Sequence, residues 1–205
     1  ITADSLGPRV VDNVLVTRHM RETTPQSVKG RLRCVSAVSP GVLGVTGLET
    51  AEVVQGIVEH AKPEAVIAVD ALAARETSRI CATLQVSDTG IQPGSGVGNH
   101  RLGLNAETLG VPVIAVGVPM VVYASTIVRD ALDLLCEDMP AEDGDHAAAL
   151  DAMVDRVVEK RLGDLVVTPR EVDERVAHMA QMLAEGVNRA LQSRLSPAEI
   201  PALMN

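Results

Sequence analysis

An α/β fold, with a mainly parallel central sheet flanked by helices, is what the sequence predicts, on three observations. Helical and extended patterns alternate along the 205 residues, the order that lays helices across a parallel sheet. Two apolar runs, 65–69 (Ala-Val-Ile-Ala-Val) and 111–118, lack polar alternation, as strands covered on both faces do. Between and after them come stretches with apolar residues at three- and four-residue spacing. With no internal repeat or low-complexity tract, residues 1–205 read as a single α/β domain.

Taken in order, Gly7-Pro8 opens a first helix carrying Val10, Val11, Val14 and Leu15 at helical spacing, with Pro8 suited to its first turn. Residues 33–38 read as a strand ended by Pro40-Gly41, and 41–47, with three glycines, as a loop. Thr50 is placed to cap a helix that buries Val53, Val54, Ile57 and Val58 and stops at Pro63. The run 65–69 is a central strand with Asp70 directly at its carboxyl end. A strand over 83–87 precedes a long loop, 88–105. After the strand 111–118 a long helix runs through Ile127, Leu132 and Leu135. The acidic linker 139–145 holds Pro140 and Gly144, and helices over 146–160 and 172–191 follow it.

Composition narrows the function. Hydrophobic residues make up 46% and charged residues 22%, so a sizeable core can form. It must be aliphatic, because there is no Phe, no Trp and a single Tyr123. That removes the stacking platforms of single-strand nucleic-acid sites, and a net charge of -9 repels a phosphate backbone. Nucleic acid is therefore excluded as a partner. No run of about 18 apolar residues predicts a membrane span, and the start, Ile1-Thr2-Ala3-Asp4, has no secretory pattern. Cys34, Cys81 and Cys136 are odd in number and far apart, which suits a reducing compartment and reads as buried packing thiols.

In open parallel sheets, reactive groups gather outside the carboxyl ends of strands, where Asp70 is placed. A carboxyl group ending an apolar strand is partly desolvated, which raises its pKa and favours proton transfer; the plain alternative is a cap on a turn over 71–74. Asp4, just before Gly7-Pro8, reads on its own as a capping residue of the first helix. Two carboxyl groups converging on one water do different chemistry: one keeps its proton while the other acts as base. Asp88-Thr89-Gly90 repeats the tripeptide of pepsin-like proteases, but those are all-β, so Asp88 reads as a loop-shaping residue first and a third acid second. Arg75 can hold a carboxylate or a substrate oxygen, or form an ordinary ion pair.

The glycine-rich stretch 93–99, with Gly94, Ser95 and Gly96, lacks both the following helix of a dinucleotide site and the Lys of a phosphate loop. It reads as a tightly turned segment beside a substrate groove. Among the histidines, His19 and His100 stand where they can reach a site, while His60 and His178 belong to helices. No HExxH or paired-ligand spacing occurs, so a metal held by Asp4, Asp70 and a histidine is not demanded.

Several motifs together resemble one family. Thr2-x-Asp4-x-Leu6-Gly7-Pro8, Val16-Thr17-Arg18-His19, Pro40-Gly41-Val42-x-Gly44-x-Thr46-Gly47-x-Glu49-Thr50 and Asp70-Ala71-Leu72-Ala73-Ala74-Arg75 look like successive motifs of the germination proteases. So do Asp88-Thr89-Gly90-Ile91-x-Pro93-Gly94-Ser95-Gly96-Val97-Gly98-Asn99, Gly110-Val111-Pro112-Val113-Ile114-Ala115 and Val166-Val167-Thr168-Pro169. They run in order from Thr2 to about Leu191.

The resemblance implies an endopeptidase of the forespore or spore core that degrades small acid-soluble spore proteins during germination. It further implies an atypical aspartic protease with Asp4 and Asp70 as its catalytic pair and no cofactor. It also implies a homotetramer made as a zymogen, with a fold similar to the hydrogenase-maturation endopeptidases. Acidic residues bind nickel at the corresponding places in those relatives. A metal-dependent peptidase and a non-catalytic peptide-binding relative are therefore the alternatives. The family carries a strand and a glycine-containing turn ahead of the Thr-x-Asp motif. The sequence starts at Ile1, so residues 1–205 are expected to lack that segment, to expose apolar sheet edges and not to form an active enzyme alone.

Overall fold

In the computed structural model, residues 2–21, 28, 30–92, 102–137, 152–156, 158, 162 and 165–204 are described. In chain order the elements are α1 (Leu6–Asn13), α2 (Leu43–Thr46), α3 (Thr50–Ala61), β1 (Val66–Ala74), β2 (Gln85–Ser87), α4 (Ala106–Leu109), β3 (Val113–Tyr123), α5 (Ala124–Glu137), β4 (Val166–Val167), α6 (Val172–Leu191) and α7 (Glu199–Leu203). The chain divides into two compact units, one formed by Ile1–Lys62 with Asp173–Asn205 and the other by Pro63–Val172. Among the described residues no helix is long and apolar enough to cross a membrane.

The first unit is helical. In α6 the buried positions Val176, Met179, Ala180, Leu183, Ala184 and Asn188 recur at three- and four-residue spacing, one stripe of a helix turned inward. Leu6 and Val10 do the same for α1. Leu15, Leu195 and Ile200 form a buried cluster with Val28, Leu32 and Leu203 packed against it.

Three buried polar side chains fasten irregular backbone to this core. Asn188 Oδ1 accepts from the Leu15 N–H at 2.8 Å and its Nδ2 donates to the Asn13 carbonyl at 3.0 Å. Gln192 accepts from the Arg33 N–H at 3.0 Å and donates to the Arg33 carbonyl at 3.1 Å. Thr17 Oγ1 donates to the same carbonyl at 2.5 Å and accepts from the Val35 N–H at 2.9 Å. These bonds correct the expectation of a strand over 33–38. The segment is not part of a ladder: side chains bond the backbone of Arg33 and the Val35 N–H, and the Thr17 and Arg18 N–H groups bond the Val35 carbonyl, so these groups are satisfied without a neighbouring strand.

Two further details differ from the sequence reading. The stretch 41–47 contains α2, ended by Gly47 at φ 72, a left-handed position that glycine fills without strain. The cap of α3 is Glu49, not Thr50: Glu49 and Glu52 form a reciprocal capping box.

The second unit holds the sheet, and the α/β class holds with it, but the sheet is mixed. β1 and β3 pair in parallel over Val66↔Val113 to Ala74↔Val122. β2 and β4 join β3 in antiparallel fashion, at Gln85↔Gly117 to Ser87↔Ala115 and at Val122↔Val167. The path runs β1-β3-β2. Only residues 75–84, with a short 3-10 turn over Thr77–Arg79, separate β1 from β2, too little chain for the helical crossover that a parallel return needs.

β3 is buried on both faces, with Val118 and Met120 fully enclosed, as its apolar run implies. Register shifts after Leu72↔Pro119, so that Ala73 pairs with Val121 and Met120 is the extra residue. Pro119 has no N–H to give to a ladder, and a bulge beside it absorbs the missing bond. The buried-thiol expectation fails for Cys34, which is exposed, while Cys81 is partly buried and sits at φ 53. The Cys136 side chain and the linker 139–145 lie outside the described residues.

Candidate functional site

Alternation along β1 puts Ala68, Asp70 and Leu72 on one face of the sheet. Register extends that face to Ala115, Gly117 and Pro119 of β3 and to Gln85 and Ser87 of β2. On it opens a cleft of about 280 Å³ lined by Leu72, Gln85, Ser87, Ala115 and Gly117, with Gly90, Ile91 and Gln92 from the loop after β2. Every strand residue of the lining belongs to the face that carries Asp70.

Two glycines give the cleft its shape. A Cβ at Gly117 would come 2.7 Å from Leu72 Cγ, so Leu72 leans over space that any other residue would occupy. Gly90 sits at φ +87, and a Cβ there would meet Asn105 Cα at 2.8 Å. Backbone bonds between Ile91 and Leu104, at 2.9 and 2.7 Å, press the loop into that contact. The Ser87 and Thr89 hydroxyls are 2.6 Å apart, and the Thr89 N–H donates to Ser87 Oγ at 3.1 Å.

Asp70 is partly buried in the middle of β1 and is the register partner of Gly117. Its Oδ1 accepts from the Ala71 N–H at 2.9 Å. The sequence placed it at the strand's carboxyl end, with a turn over 71–74; β1 instead continues to Ala74. Ala71, Leu72, Ala73 and Ala74 have helix-favouring or neutral propensity, and pairing with β3 overrides it. The effect is to move the carboxylate from the rim of the sheet onto its face, one strand spacing (about 5 Å) from the glycine that floors the cleft.

The other expected site residues of this unit lie at strand ends. Arg75 directly follows β1 and is exposed; the expected ion pair is not among the contacts of the described residues. Asp88 is exposed one residue beyond β2, and the turn it was expected to shape is held by Ser87, Thr89 and Gly90. Gly94, Ser95 and Gly96 lie outside the described residues.

Asp4 and His19 belong to the first unit. Asp4 is exposed in the 3-10 turn Ala3–Ser5 that leads into α1, and the flanking Ala3 and Leu6 are buried and pin that turn. It does not cap α1: the N-cap is Ser5, whose side chain makes no capping bond and donates instead to the Thr2 carbonyl at 2.8 Å. His19 is exposed in the 3-10 turn Arg18–Arg21, next to the Thr17 clamp, and Arg18 donates to the Ala61 carbonyl at 3.2 Å. Within either unit, no three His, Cys, Asp or Glu side chains among the described residues form a ligand set.

The cleft-forming residues Leu72, Gln85, Ser87, Ala115 and Gly117 escaped the sequence reading. One signal pointed to them: an isolated glycine inside the apolar strand marks close approach of another chain segment.

Comparison with known proteins supplies the family. Residues 1–154 match the family model Peptidase A25, germination protease. The germination protease of Clostridium acetobutylicum is 45% identical over 216 aligned residues, covering 100% of this chain and 66% of that protein. That of Caldanaerobacter subterraneus is 43% identical, covering 100% and 67%, and that of Bacillus cereus 42%, covering 95% and 65%. The chain spans about two thirds of the length of these curated relatives. Identity at this level, extending through the Asp70 strand and the cleft, shows that the chain belongs to the germination protease family.

Proposed function

We propose that this chain carries the catalytic residues of an endopeptidase of spore germination, acting on small acid-soluble spore proteins by water activated between Asp70 and Asp4. The observation that carries the reading is the placement of Asp70: a partly buried carboxylate on a sheet face beside a cleft, with a glycine as its register partner. Family membership supplies the reaction class. Such a carboxylate can hold a water against a peptide lying over the cleft, and the reading requires the Asp4 carboxyl group to reach the same water.

The ionised member of the pair takes a proton from that water as its oxygen attacks the peptide carbonyl carbon. The protonated member transfers its proton to the carbonyl oxygen, so that a tetrahedral gem-diol forms. The carbon–nitrogen bond then breaks, the leaving nitrogen takes the proton held by the carboxyl that received it from water, one diol hydroxyl returns its proton to the other aspartate, and a carboxyl and an amine terminus result. A cofactor has no step in this scheme. Arg75, Asp88, His19 and the segment 94–96 are assigned to substrate positioning, and Asp88 and Arg75 at their strand ends can reach a peptide that extends past the cleft. The reading also includes a homotetrameric zymogen of the spore core with a fold akin to hydrogenase-maturation endopeptidases.

The test is cleavage of a small acid-soluble spore protein by the full-length protein. Asp70→Asn and Asp4→Asn should each lower kcat/KM by roughly 10²–10⁴-fold, the scale of general acid–base assistance. The double variant should be little worse than either, because the two act as a unit. Wild-type rates should survive strong chelation. Loss of activity on chelation would favour the metal-dependent alternative, and no cleavage by the wild type would favour a peptide-binding relative.

A further inference from the structure

We propose that Gln85 is a further catalytic residue, its carboxamide N–H holding the carbonyl oxygen of the scissile peptide bond opposite Asp70. The assignment rests on the peptidase reading above and adds a group to it.

The row of the sheet that holds Asp70 supports this role. Asp70 of β1 pairs with Gly117 of β3, and Gly117 pairs in turn with Gln85 of β2. Register partners project from the same face, so Asp70 and Gln85 rise from one row with no side chain between them. Their Cα positions are two strand spacings apart, about 10 Å. Peptide hydrolysis needs a span of that size. A hydrogen bond from carboxylate to water, a near-attack approach, the C=O bond and a hydrogen bond to its oxygen reach about 10 Å end to end. The chain of contacts bends at the carbon, and the two side chains can lean inward to match it.

Gln85 also has the right chemistry. Its Nε2 carries two N–H donors and no charge. The residue lines the cleft and is exposed, and among the described residues its carboxamide makes no hydrogen bond. The other neutral polar groups of the lining are placed differently. Ser87 lies in the next row, opposite Ala115, and its hydroxyl is engaged by the Thr89 hydroxyl and N–H. Gln92 follows the bridge between Ile91 and Leu104, outside the strands.

A carbonyl oxygen has two lone pairs. The protonated aspartate delivers its proton to one of them, and the Gln85 N–H occupies the other. Negative charge grows on that oxygen as the water attacks, so the amide bond strengthens toward the transition state. Gln85 neither gives up nor takes a proton, and the proton balance of the aspartate pair is unchanged.

The experiment measures cleavage of a small acid-soluble spore protein by the full-length wild type and two variants. Gln85→Met keeps the length of the side chain and loses the donor; Gln85→Glu puts a carboxylate in its place. Gln85 is exposed, so both should keep the wild-type Tm, and either one decides if the other does not fold. Val86→Thr, on the opposite face of β2, is the control and should keep its kcat. Gln85→Met should lower kcat by about 10²–10³-fold, the scale of one lost oxyanion donor, with KM little changed. Gln85→Glu should lower it further, because its charge repels the forming oxyanion. A difluoroketone peptide, whose hydrate copies the gem-diol, should bind Gln85→Met more weakly by a similar factor. The matching substrate peptide should keep its Kd.

An unchanged kcat in Gln85→Met, or a rise in KM alone, overturns the role of Gln85 and leaves the peptidase reading standing. A wild type that cleaves nothing overturns both.

Discussion

Asp70 and Gly117 are both residue types that strand interiors avoid, yet they face each other in register on β1 and β3. Each has a separate local reason. The glycine is needed because Leu72 occupies the space its Cβ would take, and the aspartate keeps one oxygen on the Ala71 N–H. Together they leave a carboxylate and a hollow side by side on a face whose other residues carry no charge.

At the same scale, the Glu199 carboxylate in the first unit accepts from Arg31 at 2.8 and 2.7 Å and from the Ser196 N–H at 2.7 Å. The Arg31 hydrogen bonds, and then those from Ser196, hold it from an ordinary 4.5 down to about 2, while the same pairing raises the Arg31 guanidinium further. A carboxyl group whose folded pKa lies below its unfolded value stabilises the fold fully above the unfolded pKa and progressively less as pH falls through the folded one. The excess thermal stability of wild type over Glu199→Gln should therefore be constant near neutrality and shrink as pH drops from about 4.5 to about 2. Both side chains are about two-fifths exposed, so the difference should be small and weaken with salt.

Among elements, the extended segment after Gly30 is held by two buried side chains, Thr17 and Gln192. Gln192 is 1% exposed and bonds both backbone groups of Arg33, as a strand partner would. Gln192→Ala removes the partner of the Arg33 N–H, while the Arg33 carbonyl keeps the Thr17 hydroxyl, and should cost about 1–3 kcal/mol. The check is the urea midpoint, expected to fall with an unchanged m-value.

This element also marks where sequence patterns stop being informative. Residues 33–38 look like a strand, and they are extended. What fixes them is side-chain bonding from Thr17 and Gln192, 16 and 159 residues away, which no periodicity records. By contrast α6 was legible to its bounds, because its buried positions repeat from Val176 to Asn188, through more than three turns of helix. The second half of β1 was not legible, since its alanines prefer helix and only the ladder to β3 makes it a strand. The site divides in the same way: Asp70 stood out as a carboxylate after an apolar run, whereas Gly117, Ser87 and Gln85 become its neighbours through register alone.

For the molecule as a whole, the absence of Phe and Trp leaves stability to many small aliphatic contacts. In the second unit these converge on β3, whose Val113, Val118, Met120 and Val122 are all but inaccessible. Every other strand of the sheet bonds to β3. Its amides consequently cannot reach solvent until the ladders on either side have parted. Deuterium uptake should be slowest along 113–122 and approach the global opening limit there. The three residues of β2, held by one short ladder, should exchange orders of magnitude sooner. One wall of the hollow beside Asp70 is thus free to breathe while its floor stays shut.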